Sequence, residues 1–375
     1  QEITLNAPLF DAAGTQNFSF SRFQYMLDFS NYSSLSKFVL SDVELQCNNV
    51  ASAINLAPAG TIFHVRDCFI SRPKDRGITS SGGGCQGMFV DRCQFLSSED
   101  AMAVSDRKSI AINCNANDVK LRDNRATRFR HFALLGGQNN IVTGNHFFQG
   151  DTVNNGVRSA GLIIAAQHTA SVISGNYVDN CFIEWTNEQD AAPEYSSEYS
   201  FSALSITGNI FLSGEVAPWF SYIVVKPHGA GHVINGLTIN DNRFRSINGF
   251  IDRVERIDTS FADMDYSKLR NIEMSGNSFH GISNPVSNPV QVEHTQASLA
   301  QTWIIDIADR FPFGAWAIAV DSLTMDGPVR DASNVAQHTT PYVMTDQGVN
   351  RNLFHLVWNA SVKGSVFLQA RIDKR

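Results

Sequence analysis

The feature that most constrains this chain is a nine-residue phrase that returns five times at a nearly fixed interval. It reads NIVTGNHFF at 140–148, SVISGNYVD at 171–179, LSITGNIFL at 204–212, LTINDNRFR at 237–245 and IEMSGNSFH at 272–280. Its asparagines are Asn145, Asn176, Asn209, Asn242 and Asn277, so the steps are 31, 33, 33 and 35 residues. Recurrence at such a period marks stacked structural repeats. Apolar and polar residues alternating over so short a run describe a strand, not a helix. One strand per repeat, laid on its copies, makes a parallel β-solenoid. Gly ahead of the Asn suits a tight corner at positive φ. Stacked asparagines suit an amide ladder from coil to coil.

Weaker copies extend the column backwards. HVRDCFI (64–70) and FVDRCQFL (89–96) place Cys68 and Cys93 at the Asn position, and VKLRDNRA (119–126) places Asn124 there. The expected fold is all-β, a right-handed parallel β-helix of about eight or nine coils over residues 35–295. Residues 1–34 form a lead-in. Residues 296–375 contain no further copy and are expected to be a β-rich C-terminal cap, because a solenoid's last coil has open edges that need a different terminal module. Within the cap, 352–373 reads as two alternating strands around a Lys-Gly turn. The six cysteines (47, 68, 85, 93, 114 and 181) lack zinc spacing and read as small buried side chains rather than bridges.

A second strand follows the phrase in each repeat. Its copies are RGITSS (76–81), DAMAVS (100–105), HFALLGG (131–137), GLIIAAQH (161–168), CFIEWTNE (181–188), YIVVKPH (222–228), FIDRVER (250–256) and PVQVEHT (289–295). The row is bland up to residue 168. From there it carries Glu184, Trp185, Glu188, Lys226, His228, Asp252 and Arg253. Long connections at 185–203, 213–221 and 256–271 flank the same coils, and long loops on a regular scaffold carry function. They predict the walls of a groove over the second strand. A net charge of −7 without a basic run excludes nucleic acid as the main partner. No apolar run is long enough for a transmembrane helix, so no membrane partner is expected.

The phrase V-x-I-x-G-N-x-F with its interleaved strand resembles the right-handed parallel β-helix proteins of the pectate-lyase-like superfamily. Glycoside hydrolase family 28-related proteins, alginate epimerases and phage tailspikes belong there. The resemblance covers about residues 35–295 and implies a polysaccharide or oligosaccharide partner and a secreted or extracellular setting. It also allows a homotrimer, with subunit contacts in 296–375. The catalytic phrases of those families do not carry over. The nearest carboxylate doublet, Glu99-Asp100, lies far from His228-Gly229-Ala230-Gly231-His232, and Lys226-Pro227-His228 only occupies the strand where the epimerases have Asp-Pro-His-Glu.

Glycosidic hydrolysis uses two carboxyl groups flanking the bond. Glu184 and Asp252 are expected at one position of the second strand, two coils and so about 9–10 Å apart. They are the predicted acid/base pair, supported by Lys226 and His228. Arg253 would grip a sugar carboxylate or sulfate, and Trp185, Glu188, Tyr195 and Trp219 would contact the sugar. One conflict stands: if Phe182 faces the core, alternation turns Glu184 inward too. No metal or cofactor is expected for hydrolysis. The rival enzyme reading is a lyase on a uronate polymer, with Lys226, His228 or Arg253 as base and a calcium ion as the added cation. The rival outside catalysis is a tailspike-like module that holds glycan without cleaving it. Asp263 and Asp265 lack the other ligands of a calcium loop.

Overall fold

The computed structural model describes residues 25–80, 86–99, 101–150, 158–188, 193, 199–229 and 231–374. Twenty-seven strands form three parallel sheets of nine, here A, B and C, each coil giving one strand to each sheet in that order. The chain is a parallel β-helix of nine coils, running from Tyr25–Asp28 in sheet A to Ser278–His280 in sheet C.

The recurring phrase is not one strand but two strands meeting at a corner. Ile141–Thr143 lies in sheet B, Gly144 and Asn145 turn the chain, and His146–Phe148 lies in sheet C. The residue before the Asn takes the left-handed conformation in successive coils: φ is 53° at Asp123, 69° at Gly144, 64° at Gly175, 67° at Gly208 and 57° at Asp241. Gly144 is required by closeness as well as by φ, since a β-carbon there would sit 2.2 Å from Asp123 Oδ1. Each Asn then turns inward. The Oδ1 atoms of Asn145, Asn176, Asn209, Asn242 and Asn277 each accept the backbone N–H and the amide of the Asn one coil earlier, at 2.9–3.1 Å. Asn124 accepts the N–H of Cys93 at 2.9 Å, and there the ladder passes to thiols. Five cysteines are buried and unbridged, and Cys85 lies outside the described residues. Aromatic rings also stack from coil to coil in the core, as in Phe211–Phe244 at 4.9 Å and Phe244–Phe279 at 5.8 Å.

Three sheet assignments differ from the expectation. The fourth strand of sheet A is Ile110–Cys114, while 101–105 runs into a 3-10 turn at Val104–Asp106. PVQVEHT is not a coil strand. It opens Val290–Asp306, which runs antiparallel to Leu353–Arg371, with Val290 opposite Ala370. Alternation alone cannot separate parallel from antiparallel neighbours. Leu353–Arg371 is also one strand of 19 residues and not a hairpin, because Lys363-Gly364 stays extended in the ladder. It sits between Val290–Asp306 on one side and both Ala319–Arg330 and Tyr342–Gln347 on the other.

This antiparallel sheet is joined to the open end of the helix. Asp373 accepts the Ile272 N–H at 2.8 Å, Asn288 Nδ2 at 2.9 Å and Arg371 Nε at 2.8 Å. Lys374 bridges to Arg270, so the chain's last described residues cover the edge of sheet B. Among the described residues no helix is long and apolar enough to cross a membrane.

Candidate functional site: a polar groove on the outer face of sheet A

The strand Phe182–Thr186 settles the alternation conflict. Ile183 and Trp185 are the inward residues, both 1% exposed, so Phe182 and Glu184 face out. Trp185 therefore belongs to the core, where its Nε1 donates to the Ala166 carbonyl at 2.8 Å, and it has no face to offer a sugar. Glu184 stands beside Ile163 of the coil before and Val224 of the coil after, and Val224 is followed by Arg256. Lys226 pairs with Thr186, and the next coil's strand, Glu255–Ile257, brings Asp258 alongside Lys226.

That register displaces Asp252 from the position beside Glu184. The ninth strand of sheet A begins at Glu255, five residues later than the start of the pattern FIDRVER at Phe250. Asp252 sits on the corner before it, exposed, accepting a hydrogen bond from Asn284 Nδ2. Arg253 is also drawn away from the groove. It donates to the Phe311 carbonyl at 2.6 Å and lies 3.7 Å from the buried Glu255, tying the last coil to the cap. Trp219 is 57% exposed but faces Arg256 at 5.9 Å, outside the groove lining. Tyr195 lies outside the described residues.

The groove measures about 590 Å³ and spans the outer face of sheet A from the fourth to the eighth coil. Its floor is apolar, with Ile110, Leu134, Ala160, Ile163 and Phe182. Glu184, Thr186, Glu188 and Lys226 line one end, and Lys108, Arg130, His131, Arg158 and Ser159 line the other. Lys226 Nζ is 3.7 Å from Glu188 Oε2 and 5.0 Å from the ring centroid of Phe261. His228 lies just past the strand, stacked on Phe261 at 4.2 Å, with its backbone N–H donating to Asn187 Oδ1 at 2.9 Å. Desolvation, reinforced by Lys226, holds the His228 imidazole below its ordinary pKa.

The two carboxyls flanking Lys226 titrate in opposite directions. Burial pushes Glu184 above the ordinary glutamate value, against the pull of Lys226. Burial acts on Asp258 in the same sense, but hydrogen bonds from Ser260 and the charges of Arg256 and Lys226 outweigh it and leave that carboxyl below its ordinary value. At the far end His131 Nδ1 lies 2.6 Å from the Ala160 carbonyl, which can only accept, so Nδ1 carries the proton. Burial pushes this imidazole down to about 4, leaving it neutral with Nε2 as an acceptor.

The basic residues of this end lie in the row that read as bland. Lys108, Arg130 and Arg158 each come one or two residues before a strand of sheet A, at Ile110, His131 and Ala160. That regular placement is visible in the sequence, just ahead of the strands that the repeat pattern marks. Near this end Glu99 is engaged by Ser109, through N–H at 2.8 Å and Oγ at 2.6 Å, and Arg107 by the carbonyls of Met102 and Gln149. Among the described residues no group of three or more His, Cys, Asp or Glu is placed to hold a metal. Asp265 instead caps the turn Tyr266–Lys268.

No protein-family model matches the chain, and no curated protein does. Among solved structures, it is similar to a tailspike protein mutant of E. coli bacteriophage HK620 in complex with pentasaccharide. That match has 13% identity and a TM-score of 0.46, covering 94% of this chain and 72% of the other. A second match is the HK620 tailspike itself with pentasaccharide, at 11% identity and a TM-score of 0.39, with the same coverage of both chains.

Proposed function

We propose that the protein is a glycoside hydrolase that binds polysaccharide along the groove of sheet A and cleaves it where the groove's Glu184 end meets Asp258, which lies one coil beyond the groove's own lining residues. The observation that carries this reading is the pair of oppositely shifted carboxyls across Lys226. Two carboxyls whose environments drive their pKa values apart divide naturally into an acid and a base. Glu184, its protonated form favoured by desolvation, donates to the glycosidic oxygen. Asp258, held ionised, activates the attacking water. The two are separated by two coils, about 10 Å, and by two residues along the strand, about 7 Å. Allowing for the reach of both side chains, this leaves the wider spacing of about 6.5–9.5 Å that admits a water, so the reaction inverts the anomeric centre. The apolar floor and the clustered polar groups are what a bound sugar chain requires.

The test is release of reducing ends from a panel of bacterial surface polysaccharides. Glu184→Gln and Asp258→Asn are each expected to lower turnover by at least about 100-fold while the glycan still binds. Unchanged turnover in Glu184→Gln would sink the assignment. Products with unsaturated uronate ends would replace it by elimination, with Lys226 or His228 as base. Binding without any cleavage would make the chain a glycan-holding module.

A further inference from the structure

The antiparallel sheet that closes the helix buries one face and leaves the other open. Val292, Val366 and Leu368 point inward and are at most 7% exposed. Alternation puts their neighbours on the outer face, and the registers line them up across three strands. Gln291 pairs with Gln369, which pairs with Ser322 on its other side. Glu293 pairs with Phe367, which pairs with Thr324. These six side chains line a hollow of about 400 Å³ that shares no residue with the groove of sheet A.

The rows bounding the hollow have polar groups that are already engaged. Toward the β-helix, the next outward residue of the middle strand is Arg371, 2% exposed. It donates to Asp373 at 2.8 Å and lies 3.6 Å from Glu273 and 3.8 Å from Asp321. On the far side the Thr295 and Ser365 hydroxyls bond each other at 2.8 Å. In the hollow itself the five polar side chains make no hydrogen bond or ion pair among the described residues. Phe367 stands between them, 45% exposed. Two amides, two hydroxyls and a carboxylate therefore surround one open ring.

We propose that this hollow is a second carbohydrate site, which holds a neutral sugar residue apart from the groove. A ligand here must offer an apolar face to Phe367 and several hydroxyls at its edge, and a pyranose ring does both. The C–H groups of the sugar face meet the negative face of the aromatic ring. Amides and hydroxyls both donate and accept, and the Glu293 carboxylate accepts, so a rim of hydroxyls is matched without any charge on the ligand. The charge balance points away from an acidic sugar. The lining carries one carboxylate and no cation, and the adjacent Arg371 is already shared by three carboxylates. The same composition argues against a second copy of this chain. A stable subunit contact buries about 800 Å² on each partner around an apolar centre depleted of charge. This hollow presents one apolar ring among five polar side chains. The assignment does not depend on the chemistry of the groove.

The test is equilibrium binding of the whole protein to neutral oligosaccharides of glucose, galactose, mannose and rhamnose, and to oligosaccharides of glucuronic and galacturonic acid. At least one neutral series is expected to bind, with a Kd that added salt leaves unchanged. Phe367→Ala should raise that Kd at least about tenfold, while Phe367→Trp, which keeps a ring face, should stay within about threefold. Glu293→Ala, at an exposed position, should raise it at least about fivefold and gives the reading should Phe367→Ala fail to fold. Sedimentation of the same variants reports their association state, which is expected to match the unmutated protein. The proposal is overturned if no neutral series binds, or if neutral binding survives Phe367→Ala and Glu293→Ala unchanged, which would place it elsewhere. Uronic acid oligomers bound as tightly and weakened by the same variants would overturn the neutral ligand. A lower association state in Phe367→Ala would make this face a contact between copies of the chain instead.

Discussion

At the scale of single residues, the phase of one strand decides the site. Glu184 was legible as a candidate because it is a carboxylate in an otherwise apolar row, and it does face out. Trp185 was misplaced because a one-residue error in phase exchanges the two faces of a strand. Asp252 was misplaced for another reason: Phe250-Ile251-Asp252 has the same pattern as Phe182-Ile183-Glu184, but it falls ahead of the strand. Phe182 follows Asn176 by six residues, whereas Ile223 follows Asn209 by fourteen, so the connection into sheet A has no fixed length. Asp258, two residues past the true partner of Val224, was therefore hidden inside a loop. The proposed roles predict a pH profile with a plateau wider than two unshifted carboxyls would give. Activity needs Glu184 protonated and Asp258 ionised. It falls on the alkaline side only as pH rises through the raised Glu184 value. It falls on the acid side only as pH drops through the lowered Asp258 value. Glu184→Asp and Arg256→Gln should move one limb each, measured as kcat/KM against pH. A profile whose limbs stay put in both variants would assign the titration to other groups.

At the scale of elements, the asparagine ladder explains why the phrase was so readable. The corner demands a left-handed residue and then an amide that meets its copies above and below, so selection of residue type is strict at two adjacent positions. The sheet A strands carry only an apolar requirement on one face, and their boundaries are correspondingly blurred. The ladder's interior rungs should matter more than its last. Asn209 is fully buried, accepts twice from Asn176, and donates to the Ile173 carbonyl and to Asn242 Oδ1. Asn209→Ala leaves the Asn176 N–H and amide without their acceptor, and each buried group so stranded costs about 1–3 kcal/mol. A loss of about 2–5 kcal/mol is expected in urea denaturation. Asn277, partly exposed at the last rung, should lose less than half of that on replacement by Ala, because water can enter the space its side chain leaves. Equal losses at both positions would mean the rungs are stabilised by packing and not by the ladder.

At the scale of the whole molecule, the C-terminal sheet seals the helix through groups buried at the junction, and two of them give opposite tests. Asp373 satisfies the last strand of sheet B and partners Arg371, itself 2% exposed. Asp373→Ala strips a buried ion pair of one member, a loss of about 3–5 kcal/mol, and should speed hydrogen exchange at the Ile272 amide before any other strand of sheet B. Glu255 works the other way. It is fully buried and accepts the Phe313 N–H at 2.9 Å, with Arg253 at 3.7 Å. Desolvation outweighs both and pushes its carboxyl up to about 7. An unfolded glutamate titrates near about 4.3, so between those values the native state binds the extra proton. The stabilisation linked to that proton is complete below about pH 4.3 and is lost as pH rises through about 7, on the order of 3 kcal/mol in all. Glu255→Gln keeps an acceptor for Phe313 without the titration. Its melting temperature should match the unmutated protein near about pH 4 and exceed it near about pH 8. A variant that is less stable at both pH values would show that the ionised carboxylate, through Arg253, is what holds the cap to the last coil.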